Sequence, residues 1–375
     1  MTAPPTAAVL REAPTLGDLT SGQLRRLGAV AGLSRADTET YADVLTDSLG
    51  AVAGRSLRLP PPTRTFLSDD HTPVEFSLSF QPDAAPALRV LLEPGCGADS
   101  LAHNGRAGLE AIRAMARRWN FTTGPLDRLR DLFLPSAPDG PFALWCALEL
   151  RPGGVPAVKV YLNPAANGAE RSAGTVREAL HRLGHRQAFA GLPQGSGYPF
   201  LALDLGDWEQ PRAKVYVRHD NLTAGQAGRL TRMGRGPGPA VIEGFFRTAA
   251  GVGPGTTGLS GRPGLSCHSF TDTGTARPSG FTLHIPVRDY ARHDGEALAR
   301  AASVLRHHGM DASVLDRALA AVTERRPEDG VGLIAYLALA HQQGRPPRVT
   351  AYLSSEAYAV RPPVGEAVRH AVAVG

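Results

Sequence analysis

Ala157-Val158-Lys159-Val160-Tyr161-Leu162-Asn163 and Arg212-Ala213-Lys214-Val215-Tyr216-Val217-Arg218 read as two versions of one β-strand. Side chains alternate across a strand, so Val158, Val160 and Leu162 oppose Lys159, Tyr161 and Asn163. In the second stretch Ala213, Val215 and Val217 oppose Arg212, Lys214, Tyr216 and Arg218. Lys159 and Lys214 are the only two lysines in the chain, and all its other Lys+Arg residues are arginine. Both sit in the tripeptide Lys-Val-Tyr. In so arginine-biased a composition, this repetition marks places where a compact point charge is kept in preference to a planar fork.

Outward from these strands the pattern recurs. Helices are expected at Ser21 to Val30 and Arg35 to Leu49, the second capped by Ser34, ahead of strands Val74 to Phe80 and Leu88 to Glu93. Helices Ala107 to Trp119 and Leu126 to Phe133 precede strands Phe142 to Leu150 and Ala157 to Asn163. Helix Ala173 to Leu183 precedes Tyr198 to Leu205 and Arg212 to Arg218. Helices Ala224 to Arg232 and Ala240 to Arg247 precede Leu265 to Phe270 and Phe281 to Val287. Helices Glu296 to His307 and Ala312 to Thr323 precede Gly332 to Ala340 and Arg348 to Leu353.

This order gives five ααββ units, approximately 20–94, 105–164, 172–219, 222–288 and 294–354. With terminal extensions 1–19 and 355–375, they make one domain over 1–375. Strands joined by short links are antiparallel neighbours, which argues against a parallel Rossmann sheet or TIM barrel. Ten such strands with helices between the pairs predict an α+β protein whose sheet can close into a barrel. The Pro/Gly-rich segment Gly234 to Gly264 reads either as a mobile loop or lid, or as a plain surface excursion.

Composition narrows the function. The 375 residues suffice to bury a core. Met1 to Ala13 holds no apolar stretch of signal-peptide length, and no apolar run is long enough to span a bilayer, so a cytoplasmic protein without a membrane partner is expected. Cys96, Cys146 and Cys267 lack CxxC spacing, against a disulfide framework or structural zinc. The balance is basic, with 40 Lys+Arg against 35 Asp+Glu. The arginines are nevertheless spread along the chain without a zinc-finger, RRM or basic-zipper pattern, so no nucleic-acid partner is expected.

The face pattern carries the chemistry. Val74, Phe76, Leu78 and Phe80 oppose Glu75, Ser77 and Ser79; Val349, Ala351 and Leu353 oppose Arg348, Thr350 and Tyr352. Such polar faces either look at water, as in a half-exposed sheet, or share an enclosed lumen. Cations interleaved with tyrosines favour the lumen, because they are costly there unless something anionic and something apolar bind. Arg89, Lys159, Arg212, Lys214 and Arg348 then form a positive cluster with no matching run of carboxylates, and a diphosphate is its complement. No DDxxD motif is present: Asp69-Asp70 is followed by His71 and Thr72. Neither a metal nor another cofactor is therefore expected.

Thr-Pro-Val-Glu-Phe-Ser (Thr72 to Ser77), Leu-Arg-Val (Leu88 to Val90), Val-Lys-Val-Tyr (Val158 to Tyr161), Arg-Ala-Lys-Val-Tyr (Arg212 to Tyr216) and Val-Thr-Ala-Tyr-Leu (Val349 to Leu353) together resemble the dimethylallyltryptophan synthase family of aromatic prenyltransferases, in its bacterial branch. The resemblance spans nearly all of the chain. It implies a PT-barrel (ABBA) fold and metal-independent Friedel-Crafts transfer of a prenyl group from its diphosphate to an indole, most closely L-tryptophan, with C6 as the expected carbon. It implies that Glu75 accepts the indole N–H and that Arg89, Lys159, Arg212, Lys214 and Arg348 hold the diphosphate. Tyr161, Tyr216 and Tyr352 would shield the allyl cation.

On strand Phe281 to Val287, where the family often has glutamine and tyrosine, this chain has Thr282 beside the acceptor and His284 in the shield. Trp145 either stacks on the acceptor or packs in the core. Two residues stay unassigned: the one that removes the ring proton and the arginine for the amino-acid carboxylate. Prenylation of phenolic or other non-indole aromatics, and a non-catalytic ligand-carrying barrel, stand as the alternative activities.

Overall fold

The computed structural model describes residues 13–206, 211–253 and 258–365. The readings placed on Met1 to Ala13 and on the end of the C-terminal extension fall largely outside this range.

Helix α1 (Leu16–Val30) starts five residues before the expected Ser21 because Thr15 closes a capping box. The Thr15 hydroxyl accepts the Asp18 N–H at 3.1 Å, and the Asp18 carboxylate accepts the Thr15 N–H at 3.1 Å. Ser34 caps α2 (Arg35–Leu49) as expected, accepting the Asp37 N–H at 3.1 Å. Strands β1 (Val74–Phe80) and β2 (Ala87–Leu92) follow, then α3 (Leu101–Trp119) and two single-turn helices, α4 (Gly124–Asp127) and α5 (Arg130–Phe133). Next come β3 (Leu144–Glu149) and β4 (Ala157–Leu162), α6 (Ser172–Arg182), β5 (Gly197–Leu205) and β6 (Ala213–His219). After α7 (Ala224–Ala227) and α8 (Pro239–Ala250) come β7 (Gly264–Phe270) and β8 (Gly280–Ile285). The last elements among the described residues are α9 (Asp294–His307), α10 (Ser313–Val322), β9 (Ile334–Gln342) and β10 (Arg348–Ser354).

Every strand pairs antiparallel with its sequence neighbour, and β1 pairs with β10 through registers such as Phe76 opposite Leu353, closing the barrel. Burial decides between the two readings of the polar faces. Glu75, Ser77 and Ser79 are 6%, 6% and 1% exposed, so their face is enclosed and the other face packs on helices. On that outer face Phe76, Leu78, Val160, Val215 and Leu353 join the helices in one apolar core. Each such side chain contributes about 1.5–3 kcal/mol. Glycine permits one close approach: a Cβ at Gly108 of α3 would stand 3.0 Å from Leu144 Cδ2 of β3.

Three expectations need correction. Leu126 to Phe133 is not one helix but α4 and α5, and Ala224 to Arg232 shortens to the four residues of α7. Gly234 to Gly264 is neither a lid nor a surface excursion throughout. Pro239 opens α8, where its missing N–H costs nothing, and Ile242, Phe245 and Phe246 bury one face of that helix. Helical periodicity outweighs the Gly/Pro count over this stretch; residues 254–257 of the segment lie outside the described range.

Candidate active site

Strand pairing carries one set of side chains around the inside of the barrel. Arg89 faces Glu149, Lys159 faces Asp204, Ala202 faces Lys214, and Arg348 faces Ala340. The five expected cations therefore meet in one half of the lumen. Two inward carboxylates accompany them, which corrects the expectation of an uncompensated cluster. Arg89 Nη2 lies 2.7 Å from Glu149 Oε2, and Lys159 Nζ lies 3.6 Å from Asp204 Oδ1. Arg212 also pairs with Asp204, its Nε donating at 2.5 Å, and reaches Gln342 Oε1 at 3.5 Å.

Burial alone would raise both carboxyls. Arg89 and Lys159 instead bring Glu149 down to about 2, and Lys214, Lys159 and Arg212 hold Asp204 well below the usual carboxylate range. Five cations against two carboxylates leave an excess of three positive charges. Lys159 and Arg212 share the single Asp204 carboxylate, and Lys214 and Arg348 meet no carboxylate within 4 Å among the described residues. Burial, reinforced by Lys159, pushes Lys214 far below an ordinary lysine, and burial with Arg89 lowers Arg348 to about 10. Arg348 Nε is buried without a hydrogen-bond partner. A bound polyanion would relieve all of these strains at once.

Next along the barrel axis lies a belt of rings. Phe200 and Tyr161 each approach Tyr216, with centroids 5.6 Å and 5.9 Å away. Tyr216 lies 5.6 Å from His284, His284 5.9 Å from Tyr352, and Tyr352 6.3 Å from Tyr336. Burial drives the Tyr216 and Tyr352 phenols above their ordinary value and lowers His284 to about 3, so the belt is electrically neutral. Its π-faces suit a carbocation.

Beyond the belt stands Glu75, opposite Leu91 and Ser354, its carboxyl without a hydrogen bond to the side chain of any described residue. Burial pushes its carboxyl up to about 8; Arg288 and Arg262 pull it back and Asp69 adds to the rise. These neighbours form a network of their own. Arg262 meets Asp69 at 2.9 Å and Asp289 at 2.7 Å, and Arg288 meets Asp69 at 3.2 Å while its guanidinium lies 5.1 Å from the Tyr336 ring centre. One cavity is lined by Glu75, the belt residues Tyr161, Tyr216, His284 and Tyr352, and the cations Arg89, Lys159, Lys214 and Arg348. Lys214, Thr282 and Arg348 also line the neighbouring opening, where Arg212 and Arg345 stand.

Cations stand at one end of the lumen, neutral rings in the middle and a buried carboxyl at the other end. Residues 35–245 match the family model described as tryptophan dimethylallyltransferase. The chain belongs to the tryptophan dimethylallyltransferase family. The 5-dimethylallyl tryptophan synthase of Streptomyces coelicolor, solved in complex with DMASPP and Trp, is 78% identical over 95% of this chain and 99% of its own, with a TM-score of 0.91. The prenyltransferase PriB, solved with L-tryptophan and dimethylallyl thiolodiphosphate, is 67% identical over 93% of this chain and 99% of its own, at 0.91. A 6-dimethylallyltryptophan synthase of Micromonospora olivasterospora is 40% identical over 93% of this chain and 99% of its own, at 0.86. This chain is a tryptophan prenyltransferase with the PT-barrel fold of these enzymes.

The lumen gathers Glu75, Arg89, Lys159, Lys214, Arg348, Tyr161, Tyr216, Tyr352 and His284 around one space, with Arg212 at the neighbouring opening. Thr282 sits a rung nearer the cations than His284, paired with Ala340 and Cys267, and so adjoins the donor half. Trp145 stacks on Phe142 at 4.3 Å and donates its indole N–H to the Glu93 carboxylate at 3.2 Å. That makes it part of the wall at the Glu75 end. Sequence reading missed Glu149, Asp204 and Tyr336, although each continues the period-two inward pattern of its strand. Arg262 and Arg288 lie outside the strands, where no periodicity marks them. Among the described residues no group of three or more His, Cys, Asp or Glu could hold a metal, and no helix is long and apolar enough to cross a membrane.

Proposed function

We propose that this enzyme transfers a dimethylallyl group from dimethylallyl diphosphate to a benzenoid carbon of L-tryptophan, as one prenyltransferase domain with no metal in the transfer step. The observation that carries the reading is the order along the lumen: excess positive charge, then neutral rings, then a buried carboxyl. Lys159, Lys214, Arg89, Arg212 and Arg348 take the charge of the leaving diphosphate. Tyr161, Tyr216, Tyr352 and the neutral His284 face the allyl cation, each ring contributing roughly 0.5–2 kcal/mol. Glu75 accepts the indole N–H, which enriches the ring as carbon attacks. Thr282 adjoins the donor rather than the acceptor, and Trp145 supports the acceptor end from the wall.

Arg262 and Arg288, which share the Asp69–Asp289 network beside Glu75 with Arg361, supply the positive charge suited to the amino-acid carboxylate. That placement favours tryptophan over phenols, which carry neither an indole N–H nor an α-carboxylate. A ligand-carrying barrel would bind without releasing diphosphate. For the carbon, we propose C5 in place of the C6 expected from sequence, because the relative named as a 5-dimethylallyl tryptophan synthase shares 78% identity and the 6-dimethylallyltryptophan synthase 40%.

Incubation with L-tryptophan and dimethylallyl diphosphate in excess EDTA, followed by mass and NMR analysis, tests these statements together. The expected product is tryptophan plus one C5H8 unit at C5, with diphosphate released. Turnover that stops in EDTA and returns with magnesium refutes the cation-only account of the donor site.

A further inference from the structure

We propose that His284 is the base that takes the ring proton after alkylation, at the nitrogen that faces the cavity; the inference rests on the tryptophan prenyltransferase reading above. Attack of a ring carbon on the allyl cation forms the C–C bond as the C–O bond to diphosphate breaks. The resulting arenium ion must then lose the proton from the alkylated carbon, returning that C–H electron pair to the ring. A base is needed beside the ring, at the level of the belt.

The lumen offers few candidates. The phenols of Tyr216 and Tyr352 are held in their protonated form by burial, as is the Cys267 thiol. Arg89 and Arg348 have no lone pair to give. Lys159 and Lys214 lie on the donor side facing the diphosphate, and the Glu149 and Asp204 carboxylates are held at that end by Arg89 and Arg212. Glu75 is occupied by the indole N–H. His284 is left.

It stands in the belt between Tyr216 and Tyr352, 5.6 Å and 5.9 Å from their centres. Pairing with Leu265 and Ala338 places it one rung beyond Thr282 towards Glu75. Its Nδ1 is sealed from the cavity, which leaves Nε2 as the nitrogen open to the space His284 lines. Burial, together with Lys214, Arg348 and Lys159, keeps the ring neutral with its lone pair available. An arenium ion is acidic enough to protonate even so weak a base. The same cations disfavour the imidazolium that forms, so the proton passes on to a diphosphate oxygen and leaves with it. The sequence thus balances: one C–O and one C–H bond break, one C–C and one O–H bond form.

The test separates a base from a shield. His284→Phe keeps an aromatic face in the belt but offers no lone pair, and His284→Gln keeps a polar side chain if the phenylalanine variant melts early. Parent and variants are assayed with L-tryptophan and with its indole-ring-pentadeuterated form, which needs no knowledge of the carbon attacked. The expected result is a loss of about a hundredfold in turnover, with a primary deuterium isotope effect that the parent lacks. Added imidazole should restore part of the rate to His284→Ala. Turnover within threefold of the parent overturns the proposal, with the diphosphate itself as the base. A large loss without an isotope effect overturns it too, leaving His284 as a shield. A parent that forms no prenylated tryptophan refutes the proposed function instead.

Discussion

Replacing Glu75 with glutamine is expected to make the protein more stable and nearly inactive. Folding carries this carboxyl from 4.5 to about 8, chiefly through burial. The sign follows from linkage: below pH 4.5 the folded and unfolded chains both hold the proton, so Glu75 costs nothing. As pH rises from 4.5 to 8 the unfolded chain ionises and the folded one does not, and stability falls. Above pH 8 the penalty reaches at most about 5 kcal/mol, since each pKa unit is worth about 1.4 kcal/mol. Glutamine has no charge to bury and escapes it. Thermal melts of parent and Glu75→Gln at pH 5, 7 and 9 should therefore diverge, the variant melting a few degrees higher at pH 9 and level with the parent at pH 5. Turnover on tryptophan should fall about a hundredfold or more while donor affinity stays near the parental value. In the parent, kcat/KM for tryptophan should rise with pH around 8, a limb absent from the variant. Melting curves that run parallel from pH 5 to 9, or a variant with parental turnover, would return Glu75 to the status of a strand residue.

Lys159→Ala and Lys214→Ala should each weaken binding of a non-hydrolysable donor analogue by about 1.5–3 kcal/mol, for every aromatic acceptor, and arginine should rescue only partly. Calorimetric affinities equal to the parent's refute the donor cluster. Lys214→Ala alone should also leave the melting temperature unchanged or higher without ligand, because it removes a buried charge that no described residue pairs within 4 Å. Asp204→Asn should lower the melting temperature of the free enzyme, since Lys159 and Arg212 lose their shared counter-charge, and should enlarge the stabilisation given by inorganic diphosphate. An unchanged response to diphosphate sinks the idea that carboxylate and ligand compete. Phe76→Ala should cost about 3–5 kcal/mol in urea unfolding, as Phe76 is fully buried between β1 and the helices.

Strand alternation is local, and that is why so much of the barrel could be read directly. The two Lys-Val-Tyr tripeptides place Lys159 and Tyr161, and Lys214 and Tyr216, on one face whatever surrounds them, and closure turns that face inward. What strand alternation cannot report is which residue stands opposite. Asp204 is an unremarkable aspartate at the end of its strand until β4 and β6 bring Lys159 and Arg212 to either side of it. Arg262 and Arg288 depend on the chain returning to Asp69 from about two hundred residues away, a contact with no local signature. Trp145 shows the same limit in reverse. Its position on the inward face was legible, but the Phe142 stack and the Glu93 carboxylate that commit it to the wall were not.

The placement of charge along the lumen also bears on why the allyl cation is not lost to the protein. A carboxylate exposed to such a cation would capture it as an ester, and Glu149 and Asp204 are both ionised on the inward face. Each is pinned by cations at the donor end, Glu149 by Arg89 at 2.7 Å and Asp204 by Arg212. The carboxyl in the cavity lining, Glu75, lies past the ring belt and resists ionisation up to about pH 8. A neutral carboxylic acid is a poor nucleophile. The indole N–H, by bonding to it, both stabilises its ionised form and covers it, so negative charge develops at that end when an acceptor is seated to use it. Diphosphate-only incubations test this order. The parent should hydrolyse dimethylallyl diphosphate slowly without becoming alkylated, and raising the pH to 9 without tryptophan should produce an ester at Glu75 detectable as a gain of one C5H8 unit in the intact mass. Equal labelling at pH 6 and pH 9, or labelling that persists in Glu75→Gln, refutes the role given to the protonated carboxyl.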